Sequence, residues 1–401
     1  MTHNSVNGVL GRILEEDGSH GRAAISISGD AIAGVRRIDA PDSQEGLLRL
    51  PEEFTVVPGF VDLHCHGGFG VDFPTSDAAG AREAVSRIHR TGTTTLLASL
   101  VTAEPQALLD GAERFAGLAE SGAITGIHLE GPFLSHARCG AQNPDWLINP
   151  DLGLVRGLAA AARGALRTMT FAPELPGSDE LVDVLASLGV VPSVGHTAAS
   201  PEVTREALAR AARELSRHKG GPGAVPTVTH LFNGMDPVHH RSPGALSACL
   251  RAARAGQAVV ELIADNVHLA PDTVAMVFEL VGADNIALVT DSMAAAGLSD
   301  GTYSLGPSQV QVSGGVARLK AGGSIAGGTS TMASLVRNAV DAGVPLKDAL
   351  HSATRVPARV LGLDGQAGVL KEGARADLVV LDERLEVRGV MRGGQWLSTP
   401  R

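Results

Sequence analysis

Apolar residues along this chain follow two rhythms. Through the middle, short apolar runs alternate with longer stretches of helical spacing. Eight runs read as strands: Val56 to His66, Thr93 to Leu100, Ile124 to Glu130, Thr168 to Pro173, Val190 to His196, Thr227 to Phe232, Ala258 to Ala264 and Ile286 to Thr290. Helical patterns between them include Asp77 to Arg90, Pro105 to Glu120, Ser178 to Leu188, Pro201 to Arg217 and Pro271 to Val281. In the first of these, Ala81, Ala84, Val85 and Ile88 share one face and Gly92 follows the end, as an amphipathic helix requires. Eight strand–helix alternations predict an α/β chain closed into a (β/α)8 TIM-like barrel, whose chemistry gathers at the C-terminal strand ends.

Both ends of the chain lack the helical rhythm. Gly8 to Leu14, Ala23 to Ser28, Ile32 to Val35, Ala376 to Asp382 and Leu385 to Met391 are short strand-like segments separated by turns. They predict a small β-sandwich domain built from both termini, residues 1–58 with 362–401, beside a barrel of residues 59–361. Gly220 to Gly223 reads as a flexible connection.

Composition narrows the partners. The 401 residues are 44% hydrophobic and 19% charged, an ordinary soluble balance. Aromatics are only 3% and the net charge is −10, which argues against base stacking and phosphate-backbone binding and so against a nucleic-acid partner. No uninterrupted run of about 18 apolar residues is present, so no membrane span is expected. The opening Met1-Thr-His-Asn-Ser-Val-Asn-Gly8 lacks a basic region followed by an apolar one. The three cysteines, Cys65, Cys139 and Cys249, have no disulfide-framework spacing. A cytoplasmic location is expected.

Candidate chemistry sits where the apolar runs end. His64 and His66 lie in Val61-Asp-Leu-His-Cys-His-Gly-Gly68; Glu130, His196, His230 and Asp291 close later runs in the same way. Such scattered donors converge only if the strand ends share one rim. His-x-His on a strand points both imidazoles to one face, about 7 Å apart along the chain. Nitrogen and carboxylate donors suit Zn²⁺ or a similar ion with a position left open for water. Glu130 would hold one ion or bridge two lying about 3.5–4 Å apart, with His196 and His230 completing the second. Asp291 reads as the group that takes and returns a proton, with helix capping as its alternative. Cys65 should face the barrel wall, because neighbours on a strand point oppositely. His128 shares the face of Glu130 and reads as a supporting or packing residue. His89 and His351 read as surface or helix-end residues, and His136 as a loop residue.

With these residues in hand, the chain resembles the N-acetylglucosamine-6-phosphate deacetylases of the amidohydrolase superfamily. Pro58-Gly-Phe-Val-Asp-Leu-His-Cys-His66 and Gly373-Ala-Arg-Ala-Asp-Leu-Val-Val380 resemble superfamily-wide segments. Narrower signals are His128-Leu-Glu-Gly-Pro-Phe133, Gly195-His-Thr197, Thr229-His-Leu-Phe-Asn-Gly-Met235, Asp265-Asn-Val-His268 and Val289-Thr-Asp291. The resemblance implies metal ligation by His64, His66, Glu130, His196 and His230, with Asp291 as general base and acid. It implies one or two divalent ions per subunit, zinc first, with iron, manganese, cobalt or cadmium as alternatives. It implies a small phosphorylated amino-sugar substrate, losing its acetyl group to a metal-activated water and contacted by Asn233, Gly234 and His268. Arg241, in His240-Arg-Ser-Pro-Gly244, would reach the neighbouring active site of a homodimer, and a guanidinium suits a phosphate.

One position departs from the family pattern. Where the family usually places a histidine that polarises the acetyl carbonyl, this chain has Gln142. An amide can donate to a developing oxyanion but carries no proton charge, and loss of one such donor costs about 10²–10³ in rate. Cys139, in the same loop, reads equally as an exposed thiol or a packed one. Three rival readings stand beside the deacetylase: the galactosamine epimer as substrate, a cyclic amidohydrolase, and a catalytically weak sugar-phosphate binding protein suggested by Gln142 alone.

Overall fold

The computed structural model describes residues 8–14, 17–38, 46–219 and 225–400. The Gly220–Gly223 connection and the residues before Gly8 lie outside them. Eight parallel strands form the central sheet in chain order: β1 (Phe60–Asp62), β2 (Thr93–Val101), β3 (Gly126–Glu130), β4 (Leu166–Phe171), β5 (Val191–Val194), β6 (Thr227–Val228), β7 (Val259–Leu262) and β8 (Ile286–Leu288). β8 and β1 close the barrel beyond their own ends. Asp291 N donates to His64 O at 2.9 Å and His66 N to Ser292 O at 2.7 Å. Beneath these, Asp62 accepts from Thr290 N (3.2 Å), Thr290 Oγ1 (2.6 Å) and His64 N (3.2 Å).

The expected helices are present, including Ala78–Arg90, where the Asp77 carboxylate accepts from Gly80 N at 2.7 Å. That cap satisfies one of the free N–H groups of the first turn. Ala81, Ala84, Val85 and Ile88 are buried against the sheet. No helix among the described residues is long and apolar enough to cross a membrane.

Most of the predicted runs are shorter as strands than their apolar pattern, two of them for reasons visible in the backbone. The run from Val56 breaks at Gly59: Thr55–Pro58 pairs with Leu378–Leu381, whereas Phe60–Asp62 pairs with β2. A Cβ at Gly59 would lie 2.1 Å from Thr94 Oγ1, so the changeover needs glycine. The run from Thr227 is ladder only to Val228, then turns sharply through His230 (φ 28°) and Phe232 (φ 79°).

The terminal strands form one continuous eight-stranded sheet. It curls until its far edge returns: Ile32 N donates to Ala374 O at 2.8 Å and Ala376 N to Asp30 O at 2.7 Å. The two layers thus made enclose Val9, Ile25, Val56, Leu378 and Met391. Arg375 and Arg392 tie this sheet to the barrel through Thr94 O, at 3.2 and 2.9 Å.

A further antiparallel sheet, Gly301–Leu305, Ser308–Ser313 and Val316–Leu319, follows β8. Its alternation Gln309-Val310-Gln311-Val312 turns both valines inward, and they pack with Leu305 and Ala317 against Met293, Ala295 and Val101 at the end of β2. Gly306 N donates to the buried Asp72 carboxylate at 3.0 Å, fastening this sheet to the loop after β1.

The barrel interior below the rim is unusually polar. His128 lies between Ser99 Oγ (2.9 Å) and Thr170 Oγ1 (2.8 Å), and Thr229 Oγ1 joins Thr170 (2.7 Å) to Ser193 (2.6 Å). Burial, with the neighbouring imidazoles of His64, His66 and His230, holds His128 well below the usual histidine range, so its ring stays neutral.

Candidate metal centre

His64 and His66 follow β1, Glu130 ends β3, His196 and His230 follow β5 and β6, and Asp291 follows β8. All six are buried. They form two adjoining groups, His64 with His66 and Asp291, and Glu130 with His196 and His230; within each group the candidate ligand atoms lie within 4.8 Å of one another. Glu130 Oε1 lies 3.0 Å from His196 Nε2 and 2.9 Å from His230 Nε2. Asp291 Oδ1 lies 3.3 Å from both His64 Nε2 and His66 Nε2, which are themselves 2.9 Å apart. The groups meet where His66 Nε2 lies 3.2 Å from Glu130 Oε2.

The backbone is bent to present these atoms. His196 (φ 48°), His230 (φ 28°) and Asp291 (φ 44°) all take left-handed conformations that cost non-glycine residues about 1–3 kcal/mol each. Local contacts hold them there. His196 Nδ1 lies 2.8 Å from Arg138 O, and Thr197 N donates to Gly234 O at 3.0 Å. Gly234 itself has φ 62°, and a Cβ on it would lie 2.8 Å from His196 Nδ1, so a side chain there would displace the ring.

Charge in the cluster is internally matched. Burial would raise the Asp291 carboxyl, but the His64 and His66 imidazoles outweigh it and hold the group at about 2. Burial would likewise raise Glu130, yet His64, His196 and His230 bring it well below the carboxylate range. In return, against the effect of burial, Asp291 and Glu130 push His66 up to about 9 and His64 well above its usual value. Among the described residues, the partners of these carboxylates are imidazoles and N–H groups rather than lysine or arginine. A dense set of nitrogen and carboxylate oxygen donors without an ordinary counter-cation fits divalent ions.

The remaining candidates fall into two sets. Gln142 is buried beside Glu130: its Nε2 donates to Glu130 Oε2 at 2.6 Å, and its Oε1 accepts from Thr102 N at 2.9 Å. Asn233 is half-buried, donating to His230 O at 3.2 Å. His268, after β7, is oriented by Asp265 through Nδ1 at 2.8 Å. Arg241 is not drawn into the cluster; it is exposed in a tight loop where His239 pairs with Ser242.

Cys65 is buried in the wall, where Ser292 Oγ contacts its Sγ at 3.2 Å, and Cys139 is half-buried. His89 ends its helix but is buried rather than on the surface, lying between Thr93 O and Ala123 O. His351 pairs with Asp284 at 2.8 Å.

Comparison with known proteins decides the lineage. Residues 55–397 match the Amidohydrolase family. The chain belongs to the amidohydrolase family. This amidohydrolase is 33% identical over 394 residues to the N-acetylgalactosamine-6-phosphate deacetylase of Escherichia coli O157:H7, covering 96% of this chain and 98% of that one. It is 35% identical over 363 residues to the N-acetylglucosamine-6-phosphate deacetylase of Bacillus subtilis (strain 168), with 88% and 86% covered. Among solved structures, a mutant N-acetyl-D-glucosamine-6-phosphate deacetylase from Mycobacterium smegmatis in complex with N-acetyl-D-glucosamine-6-phosphate superposes with a TM-score of 0.88, at 38% identity over 98% of this chain and 100% of that one.

Several residues of the amidohydrolase site escaped the sequence reading. Asp62 ends β1 two residues before His64, and that i, i+2 spacing is its only sequence signal. Arg138 pairs its guanidinium with Asp236, joining the two loops that flank His196. Glu261 is a lone charge inside an apolar run.

Proposed function

We propose that this amidohydrolase hydrolyses the acetamide of N-acetyl-D-glucosamine 6-phosphate, giving D-glucosamine 6-phosphate and acetate. The observation that carries the reading is the buried union of Asp291 with four imidazoles and Glu130 at one barrel rim, in a chain similar to such deacetylases over most of its length. His64, His66, Glu130, His196 and His230 would hold the metal, for which this donor set favours zinc. A bound ion supplies Lewis acidity and lowers the pKa of adjacent water toward about 7. Asp291, a carboxylate at neutral pH, takes the proton of the attacking water at Oδ and returns it to the departing amine. Gln142 uses one amide hydrogen on Glu130 and has a second to offer the acetyl oxygen as charge develops there.

Asn233, Gly234 and His268 are assigned to the sugar phosphate. Arg241, exposed and away from its own cluster, is assigned to the active site of a partner subunit in a homodimer. Arg241→Ala should raise KM for the phosphorylated sugar far more than for N-acetylglucosamine; equal effects would remove the phosphate assignment. We further assign residues 1–58 with 362–401 to a small domain and 59–361 to the catalytic barrel, and place the enzyme in the cytoplasm on the strength of its unpaired cysteines.

A second reading, the galactosamine epimer as substrate, is favoured by the similarity to the E. coli O157:H7 protein. The test is acetate release from both 6-phosphates with and without Zn²⁺, beside Gln142→His. Higher kcat/KM for the glucosamine compound supports the first reading and the reverse order supports the second. Silence of both proteins on both sugars overturns the deacetylase.

A further inference from the structure

Glu261 is buried on β7 and belongs to neither ligand group. Val260 and Leu262 pack outward with the helical layer, so Glu261 faces the barrel interior. A carboxylate in that position is costly unless its oxygens are used. Its Oε2 lies 3.3 Å from His64 Nδ1 and 3.3 Å from His230 N. Its own carbonyl accepts from Leu231 N at 2.8 Å.

These contacts reach one histidine of each group. At His64, an N–H on Nδ1 pointing to Glu261 leaves the lone pair of Nε2 directed at His66 and Asp291. At His230, Glu261 receives the backbone N–H of a residue held at φ 28°, while the next N–H is taken by the Glu261 carbonyl. The first contact fixes a ring tautomer, and the second pins a strained backbone. Metal-ligating histidines characteristically depend on such an oriented partner, and its loss typically costs about 10–100-fold in metal affinity.

We propose that Glu261 is a positioning residue shared by both halves of the metal centre, fixing the tautomer of His64 and the backbone of His230 so that their Nε2 atoms face the ions. The inference rests on the metal-centred reading above. Glu261 acts through the two histidines it contacts.

The test is Zn²⁺ binding by the full chain, measured by chelator competition and by metal content after dialysis, for the parent, Glu261→Gln and Glu261→Ala. The Co²⁺-loaded forms are compared by visible absorption. Glu261→Ala should bind Zn²⁺ about 10–100-fold more weakly and change the Co²⁺ spectrum. Glu261→Gln, which keeps an acceptor oxygen of the same reach, should recover part of the loss. The metal-free Glu261→Ala chain should melt lower than the metal-free parent, because the buried His230 N–H loses its acceptor, so affinity and the Co²⁺ spectrum carry the decision. Affinity within threefold of the parent in both variants overturns the assignment. If Glu261→Ala fails to fold, Glu261→Gln decides: weakened binding with an altered Co²⁺ spectrum supports the role, and parental behaviour sinks it. A parent that binds neither ion would overturn the metal-centred reading itself, a result distinct from parental binding that survives the substitutions.

Discussion

The two candidate ligand groups lie side by side but are built differently. Glu130 ends β3 in register between Val101 on β2 and Thr170 on β4. Its partners His196 and His230 hang just beyond neighbouring strands of the same sheet. The His64 group lies instead across the barrel seam, between strands of three residues each, and what joins them there is the Asp62 carboxylate, the Thr290 and Ser292 hydroxyls and a few backbone bonds past the strand ends. One group inherits its geometry from the sheet; the other exists only while the barrel stays shut. Disturbance of the seam should therefore empty the His64 group first and leave the Glu130 group able to hold an ion.

The largest effect expected from breaking this asymmetry is at Asp291. Asp291→Asn should lower kcat by about 10²–10⁴ while the Glu130 group keeps its ion, read by acetate release together with metal content. Loss of all metal would show that the groups are not separable. Next comes pH. In the metal-free chain His66 is pushed up to about 9 and His64 well above its usual value. Their protons stabilise the metal-free fold below the ordinary histidine pKa of about 6.5, and that contribution is lost as pH rises through about 9. An entering ion must displace them, so affinity should rise with pH, about tenfold per unit for each proton released. Calorimetric titration in buffers of different ionisation enthalpy counts those protons, and binding without proton release would refute the charged state of the His64 group. Smallest in its effect on turnover is the seam itself: Asp62→Ala should cost about 1–3 kcal/mol of stability for each buried donor it strands and weaken the ion of the His64 group selectively, whereas Asp62→Asn keeps acceptor oxygen for the backbone donors and should be milder. Thermal melts beside metal content check it; equal loss from both groups would mean that the seam has no special place.

The barrel and the convergence of its candidate ligands were legible because each candidate ends an apolar run, and strand ends in a barrel share a rim. What stayed hidden depends on which segment pairs with which. Nothing in Val56-Val-Pro-Gly-Phe-Val61 shows that its halves join different sheets, since both are equally apolar. The strands from Gly301 to Leu319 alternate polar and apolar residues between glycine turns, and that half-exposed pattern is faint beside the fully buried runs. Glu261 was unreadable for a different reason: a single charge in an apolar run gives no sign of its partner, and His64 and His230 lie far from it in sequence. The Gln142 departure was visible at once, but its grip on Glu130 required the loop to be folded.

The pairing of Thr55–Pro58 with Leu378–Leu381 also carries a consequence for how the chain is made. On the ribosome, the first of these strands emerges long before its partner. At about 5–20 residues per second, the wait lasts tens of seconds, with Val56 and Val57 bordering an incomplete sheet. The barrel between them has time to close first, so the terminal sheet is the last part of the molecule to be completed and the one most exposed to mispairing while the nascent chain is still attached.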